Sequence, residues 1–255
     1  MPVQLTLQPE IRGPLSVYPV AALRPFGVDA FVTDRFGGVS DAPYDTLNLG
    51  IHVGDDAGHV NENRRRVALA AGVDTDHLVI ARQVHGNNII DAAVSRDAPE
   101  ADGIVTSSSE LALAILVADC VPILLVDAMS SNFAVVHAGW RGLEARVIDR
   151  AVSRFSNVST LHAFIGPSIS FEGYQVGPEV ASHFEHVPGA VAPDTGDRFH
   201  LDLRRVGVAQ LRELGLHDEH IITSVQCTDG GGLFFSDRAQ RPCGRFALVA
   251  KRVVT

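Results

Sequence analysis

Residues 111–127 read LALAILVADCVPILLVD, and no other stretch limits the fold of this chain so tightly. The run falls short of the roughly 18 unbroken apolar residues that a membrane-spanning helix needs, and Asp119-Cys120 interrupts it. It is long enough for two buried strand pieces. Asp119 and Pro122 then mark a break or bulge between them, because a strand interior gains nothing from a carboxylate and has little use for proline.

The rest of the chain supplies layers to cover such strands. Of its 255 residues, 46% are hydrophobic and 20% charged, a composition that supports a packed core. No internal repeat, low-complexity tract or Pro/Gly/Ser-rich linker divides it, so a single catalytic domain over residues 1–255 is expected. Strand-like and helix-like segments alternate, so its class is α/β, in the mixed α+β sense. The pattern predicts helices over 61–71, 143–156, 178–184 and 203–214. Gly72 and Gly215 serve as stops, Pro178 as a start and Asp202 as a cap. Strands are expected near 31–33, 78–84, 133–136, 163–165, 221–225 and 246–250, the last two joined by the glycine-rich CTDGGGLFFSDR.

Charge and cysteine use narrow the function classes. A net charge of −9 without a long basic run argues against nucleic acid as a partner. The first residues, MPVQLTLQPEIRG, lack the charged and apolar regions of a leader, so no membrane association and a cytoplasmic location are expected. Cys120, Cys227 and Cys243 are too few and too widely spaced for a disulfide framework.

Three residues pair a reactive side chain with a strand-to-turn junction: His85 in QVHGNN, Cys120 in VADCVP and His137 in VVHAGWRG. Open α/β sheets gather function at the carboxyl ends of their strands, so the three could meet at one rim. Two imidazoles and a thiolate suit zinc, and three protein ligands leave a fourth tetrahedral position open, as catalytic sites do. Separations of 35 and 17 residues resemble no compact zinc module, however. On residue types alone, Cys120 also reads as a small buried hydrophobe and the two histidines as polar turn residues. His183 with His186 and His217 with His220 read as solvated surface. Arg141, beside the only tryptophan, Trp140, suits an anion at a helix start or a surface ion pair. Asp119 suits proton transfer, support of a ligand or a solvated strand end.

The ordered blocks are more specific than these spacings. RFGGVSDAPYDTLNLGIHVGDD, VNENRRR, QVHG, ADGIVT, VADCVPILLVD, VVHAGWRGL, IGPSISFEGYQVGPEV and CTDGGGLFFSDR run in series from about residue 31 to 250. Together they resemble the YfiH family, long labelled a multicopper polyphenol oxidase or laccase domain and later reinterpreted as zinc-dependent purine nucleoside phosphorylases. The resemblance implies a single layered α/β domain like that of certain cysteine-hydrolase toxins. It implies His85, Cys120 and His137 as zinc ligands, and Asn48, Arg64 and Arg141 around the substrate. It further implies phosphorolysis of adenosine, inosine, guanosine and methylthioadenosine to free base and ribose 1-phosphate, with adenosine deamination at the same site and a monomer or homodimer as the working unit. Asp119 and Cys120 join Arg141 as catalytic candidates. Two departures stand out: SDRAQ, with Asp237, where the family has SYRRD or SFRRD, and CGR, with Cys243, where it has TGR.

Two alternatives remain beside this reading. A metal-free hydrolase or deamidase would use Cys120 as nucleophile and His137 as base. A copper-dependent polyphenol oxidase would want several His-x-His pairs, and the 11 histidines form none. Copper could still occupy a zinc site adventitiously.

Overall fold

The computed structural model describes residues 1–92, 99–229 and 231–253, so Gly230 of the glycine-rich connection lies outside the described residues. The apolar run forms two strands, Ala112–Val117 and Val121–Asp127, with every residue buried. They are not halves of one bulged strand. The first lies in a six-stranded sheet and the second in a seven-stranded sheet, so residues 118–120 cross between layers. Pro122, expected in a bulge, is the second residue of its strand and sits opposite His137. Proline is tolerated so near a strand start, and its carbonyl still accepts a hydrogen bond from Gly166 N at 2.8 Å.

Burial on both faces explains why neither strand alternates. Leu113, Ile115 and Val117 meet Leu124 and Val126 in a core between the two sheets. Ala112, Ala114 and Leu116 face the helix Ala57–Ala70. Val121, Ile123 and Leu125 pack with Leu143, Ile148, Ala151, Val206 and Leu211 from the helices on the opposite side. Each fully buried aliphatic side chain contributes on the order of 1.5–3 kcal/mol. The architecture is thus helix, sheet, sheet, helix, the mixed layered sandwich that the sequence leads one to expect. A small three-stranded sheet is built from Gln175–Val176, Phe199–Leu201 and Val191–Pro193.

In the seven-stranded sheet, Val121–Asp127 lies between Leu161–Ile165 and Phe133–Ala138 and is antiparallel to both. Cys120 therefore leads into its strand in that sheet, whereas the expectation was a carboxyl-end position. The outer strands Val3–Leu5 and Ile221–Ser224 pair in parallel.

Several elements differ in extent from the sequence pattern. The first helix begins at Ala57, four residues early, because the Asp56 side chain accepts from His59 N at 3.0 Å. The strand predicted over 78–84 ends at Ile80. The continuous helix predicted over 143–156 is two short helices, Trp140–Glu144 and Val147–Val152. Arg146 divides them with a left-handed backbone (φ 60°), tied down by Asp149 at 3.0 Å and Glu213 at 2.8 Å. The apolar face survives the break, with Val147, Ile148, Ala151 and Val152 all buried. The helix predicted over 178–184 is only Pro178–Ala181.

Candidate metal centre

The crossover between the sheets delivers Cys120. Its neighbour Asp119 has φ 87°, a left-handed turn that short polar residues adopt more readily than most. Both Asp119 oxygens are occupied: Oδ1 accepts from the Thr228 hydroxyl at 2.5 Å and Oδ2 from Arg238 N at 2.7 Å. Ile169 N donates to its carbonyl at 3.0 Å. That arrangement pins the crossover, with Asp119 and Cys120, to the 168–170 and 228–238 loops.

His137 lies near the end of Phe133–Ala138, and its pairing with Pro122 sets it beside Cys120. His85 arrives on the turn after Leu78–Ile80, with φ 59°. One buried carboxylate holds both histidines. Asp102 is wholly inaccessible to solvent and accepts from Val84 N at 3.2 Å, His85 N at 2.9 Å and Gly86 N at 2.6 Å. It also lies 2.8 Å from His137 Nδ1, while His137 N donates to its carbonyl at 2.7 Å. A carboxylate ionised by these donors can only accept, so Nδ1 carries the proton and Nε2 is the free ligand nitrogen. Burial alone would push the Asp102 carboxyl up, but the hydrogen bonds from His137, Gly86 and Val84 bring it below its usual value.

The ligand atoms of His85, Cys120 and His137 lie within 4.8 Å of one another, and they are the only such group among the described residues. The two imidazoles meet edge to face at 81°, with centroids 4.8 Å apart. Burial opposes ionisation of Cys120, yet the charge and hydrogen bonds of His137 and His85 win and hold its thiol at about 6. Burial likewise opposes charge on His137, but the Cys120 thiolate and Asp102 lift it to about 9. The pair therefore tends to a thiolate beside an imidazolium, whose proton a cation would displace.

Gly139 floors the group. A Cβ there would stand 2.9 Å from Cys120 Sγ and 3.2 Å from His85 Cδ2, so any side chain would enter the space between the ligands. A soft thiolate, two imidazoles and that cradle fit a tetrahedral N/S metal with one position open.

This group opens into a cleft of about 350 Å³. Trp140 and Tyr174 line it with aromatic side chains, and Arg141, Arg238, Arg241 and Arg245 supply positive charge. Tyr174 is pushed up to about 12, first by burial and then by the Cys120 charge, so its phenol remains a proton donor. Arg141 lies 4.2 Å over the Trp140 ring. Its side chain has no hydrogen bond or ion pair among the described residues, and its helix is only five residues long.

Asn48 and Arg64 do not line the cleft. Asn48 is fully buried, donates to Gly50 O at 3.2 Å and Asp55 Oδ2 at 2.8 Å, and accepts from Gly50 N and Arg245 N at 2.9 Å each. Its place is behind Arg245, where it shapes the wall. Arg64 spends Nε and Nη2 on Leu49 O at 3.0 and 2.9 Å, bracing the same loop. Both positions support the residues at the cleft wall and make no contact with its interior.

Sequence reasoning missed Asp102, Tyr174 and Arg245 as individuals, although each stands in or near a quoted block. The histidine pairs stay apart from the centre. His183 stacks on Trp140 and lies 3.1 Å from Glu144, and His220 packs against His162 at 4.3 Å.

Comparison with known proteins gives a consistent picture. Residues 29–252 match the family described as multi-copper polyphenol oxidoreductase laccase. A Mycobacterium tuberculosis protein named purine nucleoside phosphorylase is 39% identical over 222 residues, covering 84% of this chain and 88% of its own. The Escherichia coli purine nucleoside phosphorylase YfiH is 36% identical over 230 residues, 88% of this chain and 93% of its own. Among solved structures, YlmD from Geobacillus stearothermophilus superposes with a TM-score of 0.89 at 31% identity, covering 97% and 99% of the two chains. No helix among the described residues is long and apolar enough to cross a membrane.

Proposed function

The chain belongs to this YfiH-type laccase-domain family, and from that premise we propose that it is a purine nucleoside phosphorylase with one zinc site. One observation carries the reading: a His-Cys-His group opens into a cleft that also holds Arg141, whose side chain has no hydrogen-bond or ion-pair partner among the described residues. The protein acts as one catalytic domain over residues 1–255. It takes adenosine, inosine, guanosine and methylthioadenosine with inorganic phosphate, and deaminates adenosine as a side reaction. Neither nucleic acid nor membrane is a partner. The working unit is a monomer or homodimer, and the location is the cytoplasm.

His85, Cys120 and His137 would hold the ion, through Nε2 in the case of His137. Bound Zn²⁺ supplies a Lewis acid, which offsets negative charge on a ligand oxygen. Two histidines with a thiolate favour zinc. The missing His-x-His pairs argue against an oxidase, so copper would be an adventitious occupant.

In phosphorolysis a phosphate oxygen bonds to C1′ of the ribose, the bond from C1′ to N9 breaks, and the purine leaves with a proton. Arg141 orients the phosphate by charge and by its planar fork of donors. Trp140 and Tyr174 offer aromatic contact to the purine, and the protonated Tyr174 hydroxyl can donate to a base nitrogen. A cleft of about 350 Å³ falls within the range of small-ligand sites.

The thiolate beside His137 also suits a metal-free Cys-His hydrolase. His85, a second imidazole at the sulfur, favours a metal. Incubation of the purified protein with adenosine and phosphate, followed by chromatography, tests the reading. Phosphate-dependent adenine with matching ribose 1-phosphate supports it. Unchanged adenosine, or adenine formed equally well without phosphate, sinks it.

A further inference from the structure

The cleft is rich in hydrogen-bond donors and poor in acceptors. Both Asp119 oxygens are held, by the Thr228 hydroxyl and the Arg238 N–H, and both Asp237 oxygens by Arg241 and Arg245. Gln83 accepts from Leu116 N at 2.8 Å and donates to Leu116 O at 2.6 Å, so both ends of its amide are engaged. His85, Cys120 and His137 belong to the metal group. Trp140 and the arginines can only donate, and the Tyr174 hydroxyl donates to the base. His52 remains. It lines the cleft and makes no side-chain hydrogen bond or ion pair among the described residues.

The backbone presents this imidazole firmly. Ile51–Val53 is one short turn. Asn48 grips its start by donating to Gly50 O and accepting from Gly50 N, and the Tyr44 hydroxyl grips its end by donating to Val53 O at 2.7 Å. Arg64 braces the same loop through Leu49 O. Partial desolvation, then the positive charges of Arg245, Arg64 and His85, hold His52 below the ordinary histidine value. At neutral pH it is an uncharged ring with one N–H and one open lone pair.

The donor that meets this lone pair follows from the substrates. Adenosine and methylthioadenosine carry a 6-amino group where inosine and guanosine carry an oxygen beside an N1–H. Methylthioadenosine has no 5′ hydroxyl. The 2′ and 3′ hydroxyls are therefore the only donors common to all four. We propose that His52 is a specificity-determining residue that accepts a hydrogen bond from the 2′ or 3′ hydroxyl of the ribose. The inference rests on the nucleoside reading of the site and deepens it by assigning the group that recognises the sugar. An apolar ring in place of His52 leaves that hydroxyl without its partner.

Steady-state kinetics of the zinc-loaded full chain tests it with adenosine, 2′-deoxyadenosine, 3′-deoxyadenosine and purine riboside, which lacks the 6-amino group. The quantity read is the factor by which His52→Phe lowers kcat/KM for each, because the intrinsic lability of each glycosidic bond cancels in that ratio. The factor should be about three- to tenfold for adenosine and purine riboside, the usual range for one neutral hydrogen bond, and close to one for a single deoxy analogue. That analogue identifies the hydroxyl. His52→Ala should give the same pattern, His52→Gln should recover part of the loss by keeping an acceptor, and the KM for phosphate should stay within about twofold throughout. One common factor for all four nucleosides, whether large or absent, overturns the proposal. So does purine riboside as the insensitive substrate, which would assign His52 to the base. If the wild type converts none of the four, the nucleoside reading itself falls and takes this inference with it, a result distinct from the others.

Discussion

Asp102 Oδ1 stands 2.8 Å from Nδ1 of His137, and the same oxygen accepts the backbone N–H of His85 at 2.9 Å. One buried carboxylate thus orients a side chain on a central strand and a turn that comes 52 residues earlier. Oδ2 accepts two further backbone donors, from Val84 and Gly86. All four groups facing Asp102 are donors, so an amide would oppose donor to donor at one oxygen or the other. Asp102→Asn should therefore weaken zinc binding about 10- to 100-fold, the usual cost of losing such a supporting group. Competition with a chromogenic chelator measures it, and an unchanged affinity would deny Asp102 this part.

Gly139 makes a sharper steric prediction. A methyl group there would stand 2.9 Å from Cys120 Sγ, closer than real Cβ contacts come. Its backbone is in the ordinary extended region (φ −78°), so alanine costs little in conformation. Gly139→Ala should abolish stoichiometric zinc while leaving the melting temperature of the metal-free protein within a few degrees. Metal analysis and thermal denaturation separate the two effects.

The state of Cys120 gives a pH dependence. His137 and His85 hold the thiol at about 6, below its usual 9, so the thiolate forms as pH rises through 6 and is lost below it. In chelator-treated protein, iodoacetamide labelling of Cys120 should rise through a midpoint near pH 6. Zinc should block it. Labelling that zinc leaves untouched would favour the metal-free hydrolase instead.

Arg141 is the phosphate contact in this account. Arg141→Ala should raise the KM for phosphate about tenfold or more and change that for adenosine much less, because a charged hydrogen bond contributes on the order of 1.5–3 kcal/mol. Steady-state kinetics with each substrate varied in turn provides the comparison. Equal rises in both would assign Arg141 to the fold of the cleft.

Much of the site could be read from residue order, and the reasons differ by residue. His85, Cys120 and His137 stood out because each follows strand-like residues at a turn. The mixed α/β class followed from alternating segments, and the layered sandwich from the family resemblance. That Ala112–Val117 and Val121–Asp127 belong to different sheets was hidden, because strands buried on both faces carry no alternation to mark which layer they enter. The break at Arg146 was hidden as well, since its left-handed backbone occurs at an arginine held by Asp149 and Glu213 and not at a glycine. Asn48 and Arg64 came from resemblance, and their hydrogen bonds spend them on the 48–50 loop. Asp102 and Arg245 depend on contacts across long stretches of chain, which no local pattern reveals.

The central claim is that the His85, Cys120 and His137 group holds zinc and that phosphorolysis depends on it. Elemental zinc analysis of the purified protein and of Cys120→Ala, run beside ribose 1-phosphate release from the same preparations, tests it most directly. About one zinc per wild-type chain is expected, with both metal and product lost together in the variant. A metal-free preparation with full phosphorolytic activity would contradict the account.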